Sequence, residues 1–125
     1  MHELSIAHSL VEIANAAAER AGATQVTQVH VAVGALSGVA IESLLFCYDI
    51  AASGTLLEGS RLVIREVPLA VYCSACSSEV ALAEPNRFVC PDCGAPTPEI
   101  RRGRELAVES LEIEEPPGRA DEVSR

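Results

Sequence analysis

The sequence predicts an α+β domain: a small three-stranded sheet with two helices on one face and an inserted zinc-ribbon-like module. Three observations carry this. Apolar residues recur at spacings of three and four from Leu4 to Ala21. Alternating, β-branched stretches follow at 24–33 and 61–67. Two C-x-x-C pairs then interrupt the pattern before a last strand at 105–113.

The first helix has Leu4, Ala7, Leu10, Val11, Ala14, Ala17, Ala18 and Ala21 on one face, and Ser5, His8, Glu12, Asn15 and Glu19 on the other. Gly22 follows as a C-terminal cap. Periodicity already accounts for His8 as a solvated residue. In the first strand Val29, Val31 and Val33 alternate with Gln28, His30 and Ala32, which puts His30 on the opposite face as a structural residue. A turn at 34–38 follows, where Ser37 is a candidate cap for the next helix. That helix, 41–52, has its stripe at Ile41, Leu44, Leu45, Tyr48 and Ala51. Cys47 in its apolar company reads as a small buried hydrophobe. Pro68 stops the second strand or places it at an edge. The second and last strands enter and leave the cysteine segment, so they are expected to pair antiparallel. The expected organisation is 1–69 plus 103–114 as one α/β domain, 70–102 as a metal-binding module, and 115–125 as a disordered, charged tail.

Cys73, Cys76, Cys90 and Cys93 form the two pairs, with thirteen residues between Cys76 and Cys90. Two intervening residues let both sulfurs of a pair face one ion, and Gly94 suits the tight turn. Four thiolates at this spacing match a tetrahedral Zn(II) site, with mononuclear iron as the chemical rival. Four cysteines close the coordination shell, so the zinc is structural. It replaces a core that a short, apolar-poor segment cannot build. A dithiol oxidoreductase needs one reactive pair, not two matched ones.

Composition narrows the partners. At 125 residues the chain is one small domain, and its apolar content of 49% with only 3% aromatics implies an aliphatic core. Net charge is −9, and all nine basic residues are arginine. An acidic surface argues against nucleic-acid binding, which needs a basic face. No apolar run approaches the ~20 residues that span a bilayer, and the N-terminus lacks the layout of a signal peptide. A cytoplasmic protein with reduced thiols is expected, which favours metal over disulfides.

Met1-His2-Glu3 is a small chelator: the Met1 amine, the His2 backbone nitrogen and the His2 ring can close fused rings around one ion. Nitrogen sets of this kind suit Ni(II) or Cu(II), with Glu3 as a further donor. An ordinary frayed terminus is the plainer alternative.

Taken together, Met1-His2-Glu3-Leu4-Ser5-Ile6-Ala7, Gly34-Ala35-Leu36-Ser37, Phe46-Cys47-Tyr48-Asp49, Glu58-Gly59, the four cysteines, Glu105-Leu106 and Ser110-Leu111-Glu112-Ile113 resemble the HypA/HybF family from residue 1 to about 114. The resemblance implies a nickel metallochaperone for [NiFe]-hydrogenase maturation, and in some organisms for urease, with no enzymatic activity of its own. It implies Ni(II) cargo at His2, with the Met1 amine and Glu3 contributing, and Zn(II) at Cys73, Cys76, Cys90 and Cys93. Its implied partners are a HypB-type GTPase, the hydrogenase large subunit and, for some members, urease accessory proteins. Val39 and Ala40 stand where some members carry an acid near the nickel; the nearest acid here is Glu42. The alternative from another class is a zinc-ribbon adaptor that binds protein and no nickel.

Overall fold

In the computed structural model, residues 2–82 and 87–114 are described. The expected disorder of 115–125 lies outside them. The elements run α1 (His2–Arg20), β1 (Gln25–Gly34), α2 (Ile41–Ala52), β2 (Arg61–Val67), β3 (Ala70–Cys73), β4 (Ser78–Ala81), β5 (Glu99–Arg102) and β6 (Leu106–Glu114). Two compact units divide the chain. One takes in Met1–Val31, Val39–Ile64 and Val108–Arg125; the other takes in Ala32–Gly38 and Arg65–Ala107, more than the cysteine-bearing segment alone. No helix among the described residues is long and apolar enough to cross a membrane.

In the first unit α1 and α2 lie against each other. The buried stripe of α1 is Ala7, Leu10, Val11, Ala14 and Ala18, and small residues allow that close approach. The helix ends in a Schellman motif: Ala23 N–H donates to Ala18 O and Gly22 N–H to Glu19 O, with Gly22 at φ 73°. Leu44, Tyr48, Ala51 and Ala52 are the buried positions of α2. Leu45, placed on the stripe by periodicity, is instead 41% exposed, and Phe46 and Ile50 are 70% and 52% exposed. Tyr48 is buried, and its hydroxyl lies 2.5 Å from that of Ser60, also buried. Burial pushes the Tyr48 phenol up. Tyr48→Phe would leave the Ser60 hydroxyl unpaired. A loss of about 1–3 kcal/mol is expected in urea unfolding, and Tyr48→Phe combined with Ser60→Ala should recover part of it.

The sheet order is β2-β1-β6. The expected pairing of the second and last strands is therefore corrected: β1 lies between them. Its burial explains the place. Val31, Ala32, Val33 and Gly34 are buried in succession, as in a strand covered on both faces, whereas β2 and β6 are largely exposed or half-buried. Thr24 N–H donates to Glu114 O and Gly34 N–H to Glu105 O, so β1 and β6 run antiparallel. Val26 N–H meets Leu56 O just before β2 and Ala35 N–H meets Val67 O at its end, so β1 and β2 run the same way. The crossover between them is α2, the usual solution for a parallel pair.

The second unit holds a further three-stranded sheet, β4-β3-β5, antiparallel throughout. Strands of four residues are too short to show alternation, so the sequence reading missed it. Leu69, Val71 and Leu82 form its buried core, with Leu36, Val80, Phe88 and Ile100 packed against them. Charge pairs lace its surface: Arg102 with Glu79, and Arg101 Nε with Glu99 Oε2 at 2.6 Å. The Arg101 guanidinium also lies 4.5 Å over the Tyr72 ring. A core this small needs another source of stability.

Candidate functional site

Two turns bring the cysteines together. Cys73 ends β3 and pairs with Ser78 on β4, so Cys76 falls in the hairpin turn between them. Ser77 closes that turn at φ 53°. The second turn sits on a small hairpin: Thr97 N–H donates to Phe88 O, Val89 bridges Pro96, and Cys90 N–H donates to Ala95 O. Gly94, at φ 76°, reverses the chain after Cys93.

The four sulfurs all lie within 4.8 Å of one another. Cys73 Sγ is 3.5 Å from Cys93 Sγ, and Cys76 Sγ is 3.9 Å from Cys90 Sγ. A tetrahedron with 2.3 Å Zn–S bonds requires sulfurs about 3.8 Å apart. All four cysteines are free thiols, with Cys73 and Cys90 buried and Cys76 and Cys93 exposed. The donor set therefore fits one tetrahedral ion with thiolate ligands. Cys76 N–H donates to Cys73 Sγ and holds the Cys73 thiol down to about 7, while the neighbouring thiols Cys93, Cys73 and Cys90 push Cys76 up to about 12. Without a cation the sulfurs cannot all shed their protons; a bound cation supplies the missing charge.

At the other candidate site, His2 begins α1 and its side chain is 61% exposed, whereas that of Glu3 is only 10% exposed. Ala40 N–H donates to Glu3 Oε2 at 3.1 Å, and this bond holds the Glu3 carboxyl below the usual carboxylate range. The same oxygen is 3.3 Å from His2 Nε2. Met1 lies outside the described residues. The N-cap of α2 is Ala40, with no side-chain cap, so the candidate role of Ser37 is corrected. Glu3 reaches across from α1 and takes the N-cap amide, as the glutamate of a capping box does from within one helix.

Residues 1–113 match the family model described as hydrogenase/urease nickel incorporation, metallochaperone, hypA. The chain belongs to the HypA family. It is 55% identical over 115 residues to the hydrogenase maturation factor HypA of Roseiflexus sp. (strain RS-1), covering 92% of this chain and 94% of that one. With the hydrogenase maturation factor HypA of Chloroflexus aggregans it shares 49% identity over 112 residues, 90% of this chain and 98% of the relative. The solution structure of the Ni metallochaperone HypA from Helicobacter pylori superposes with a TM-score of 0.66 at 23% identity, over 93% of this chain and all of that one, which supports the fold. The HypA family consists of maturation factors, and the chain is a member of a metallochaperone family rather than of an enzyme family.

Three features of this HypA chain escaped the sequence reading. The pinning of Glu3 by Ala40 links residues 37 positions apart, and no local pattern announces it. His30 Nε2 is 3.1 Å from Glu112 Oε2, a cross-strand pair that only the β1–β6 register reveals. Cys47 is half-buried rather than buried. It lines a cleft of ≈ 450 Å³ with Glu3, Leu4, Glu42, Ser43, Phe46 and Ile50. Exposed His8 is as the periodicity implies.

Proposed function

We propose that this chain carries Ni(II) at its N-terminus and delivers it during [NiFe]-hydrogenase maturation. His2 is the essential side chain, the Met1 amine a further ligand, and Glu3 the residue that steadies the turn or adds a carboxylate. Zn(II) at Cys73, Cys76, Cys90 and Cys93 is structural. The observation that carries the nickel reading is the contrast at the head of α1: His2 is exposed while Glu3 beside it is anchored. An exposed imidazole on an anchored turn can bind an ion and release it without the fold opening. The first N–H groups of a helix have no partner within it, so the His2 amide is free to join the set. The zinc reading rests on sulfur spacings that suit a tetrahedron.

The working partners are a HypB-type GTPase and the hydrogenase large subunit, with urease accessory proteins as the second client group. The setting is the cytoplasm, where the four thiols stay reduced.

Equilibrium dialysis of untagged protein tests the proposal. His2→Ala, and separately one extra residue before Met1, are each expected to weaken nickel binding by at least ~100-fold, above what outer-shell changes cost. Protons compete for the imidazole, so affinity is expected to fall as the solution is acidified. Unchanged nickel affinity in both variants would sink the terminal site. Zinc without stoichiometric nickel in the wild-type protein would leave the adaptor reading in its place.

A further inference from the structure

Thr97 is the anomaly of the second unit. It is fully buried, at 0% exposure, and its hydroxyl has no hydrogen-bond partner among the described residues. A buried, unpaired hydroxyl costs about 1–3 kcal/mol and calls for an explanation.

The hairpin register says where that hydroxyl can turn. Thr97 pairs with Phe88, Pro96 with Val89 and Ala95 with Cys90. Alternation then puts Thr97, Phe88, Ala95 and Cys90 on one face of the hairpin, with Val89 and Pro96 on the other. Thr97 is the diagonal neighbour of Cys90, within the reach of such pairs. Phe88 packs into the apolar core, and Ala95 offers no side-chain acceptor. The remaining acceptor on this face is the sulfur of Cys90.

The two buried sulfurs differ in their support. Cys73 Sγ already receives the Cys76 N–H. Cys90 is as buried as Cys73 and has Cys76 Sγ at 3.9 Å, but no N–H donor among the described residues. A thiolate sealed from water needs donors as much as a carboxylate does. We infer that the Thr97 hydroxyl is the donor to Cys90 Sγ when the cysteine cluster holds its metal, through a rotation about χ1. Thr97 is thus a positioning residue for the zinc site, acting on a ligand rather than on the ion. The inference rests on reading the four cysteines as a metal site.

The test uses the full-length protein loaded with zinc and, separately, with Co(II). Thr97→Val keeps the shape and removes the hydroxyl; Thr97→Ser keeps the hydroxyl. Zinc transfer to a chromophoric chelator is expected to be about tenfold faster or more in Thr97→Val, the range for a lost hydrogen bond to a charged group. Thr97→Ser should transfer zinc at the wild-type rate. The sulfur-to-cobalt charge-transfer band should move to longer wavelength in Thr97→Val and stay in place in Thr97→Ser. Equal zinc release and an unmoved band in Thr97→Val overturn the inference; such a variant would instead be more stable, having shed an idle hydroxyl. If Thr97→Ser releases zinc as fast as Thr97→Val, packing and not the hydroxyl is at work, and the inference also fails. A wild-type protein that binds neither metal overturns both this inference and the zinc reading beneath it.

Discussion

Replacing Cys90 with serine is expected to unfold the second unit. Cys90 is one of two buried sulfurs, and it sits where the small hairpin and the β3–β4 turn meet at the cluster. The apolar core nearby is three buried residues and four partly buried ones, too little to hold the unit unaided. Structural zinc sites contribute an apparent ~10–16 kcal/mol at neutral pH, larger than the whole stability of most small domains. Losing one thiolate removes most of that. With zinc held by the cluster as proposed, metal content measured after gel filtration should fall from one zinc per chain toward none. Amide hydrogens of β3, β4 and β5 should lose protection, while those of α1 keep it. Full zinc stoichiometry with intact protection in Cys90→Ser would show that the cluster does not hold the unit together. In the wild-type protein acid should mimic the mutation. Zinc binding displaces thiol protons, so lowering the pH drives the reverse exchange and speeds zinc loss to a chelator.

Gly34→Ala is expected to be the most damaging substitution away from the cysteine cluster. A β-carbon there would lie 2.1 Å from the oxygen of Gly103 and 2.2 Å from its carbonyl carbon. Both are backbone atoms and cannot swing aside. They are also tied down: Leu36 N–H donates to Gly103 O at 2.6 Å, and Gly34 N–H donates to Glu105 O at 2.7 Å. The Glu105 carboxylate in turn accepts the Gly103 N–H at 2.8 Å. Gly103 cannot relax easily, since its φ is 124° and a side chain there would press on Leu69. The cost should reach or exceed the ~3 kcal/mol upper end of ordinary overpacking. Gly38→Ala provides the control. Its φ is 76° but nothing lies within 4 Å of the added carbon, so only the conformational cost of about 1–2 kcal/mol applies. Urea midpoints of the two variants decide the matter: Gly34→Ala no worse than Gly38→Ala would mean the contact is not a tight one.

These cases also mark what the chain discloses locally and what it keeps. The stripe of α1 is legible because one face of one helix sets its own period, and Gly22 punctuates its end. The four cysteines are legible because a ligand pair within a turn is a local object. Strand order is not local: β2 and β6 each satisfy the alternation that a neighbour of β1 requires, and nothing in either says that β1 comes between them. What does distinguish β1 is the unbroken buried run from Val31 to Gly34, readable as a central strand once burial on both faces is considered. Gly34 itself looked like an ordinary turn residue. Its role depends on Gly103, far along the chain, coming within contact of its α-carbon. Leu45 was misplaced because a helical stripe read from hydrophobicity alone has no reason to leave out an apolar residue at its margin. Phe46 and Ile50, which that stripe leaves out, are exposed as the periodicity implies.

The pairing of β6 with β1 has a consequence for the order in which the two halves of the chain are completed. Thr24, Thr27 and His30 find their partners on Glu112 and Glu114, more than eighty residues later. A ribosome therefore finishes every residue of the cysteine cluster before it supplies the strand that closes the sheet beside β1. Translation presents the thiols for loading while the half that bears His2 still lacks an edge. The end of the chain made first is completed last; with zinc and nickel placed as proposed, the zinc has its chance to bind before the nickel site has a finished scaffold.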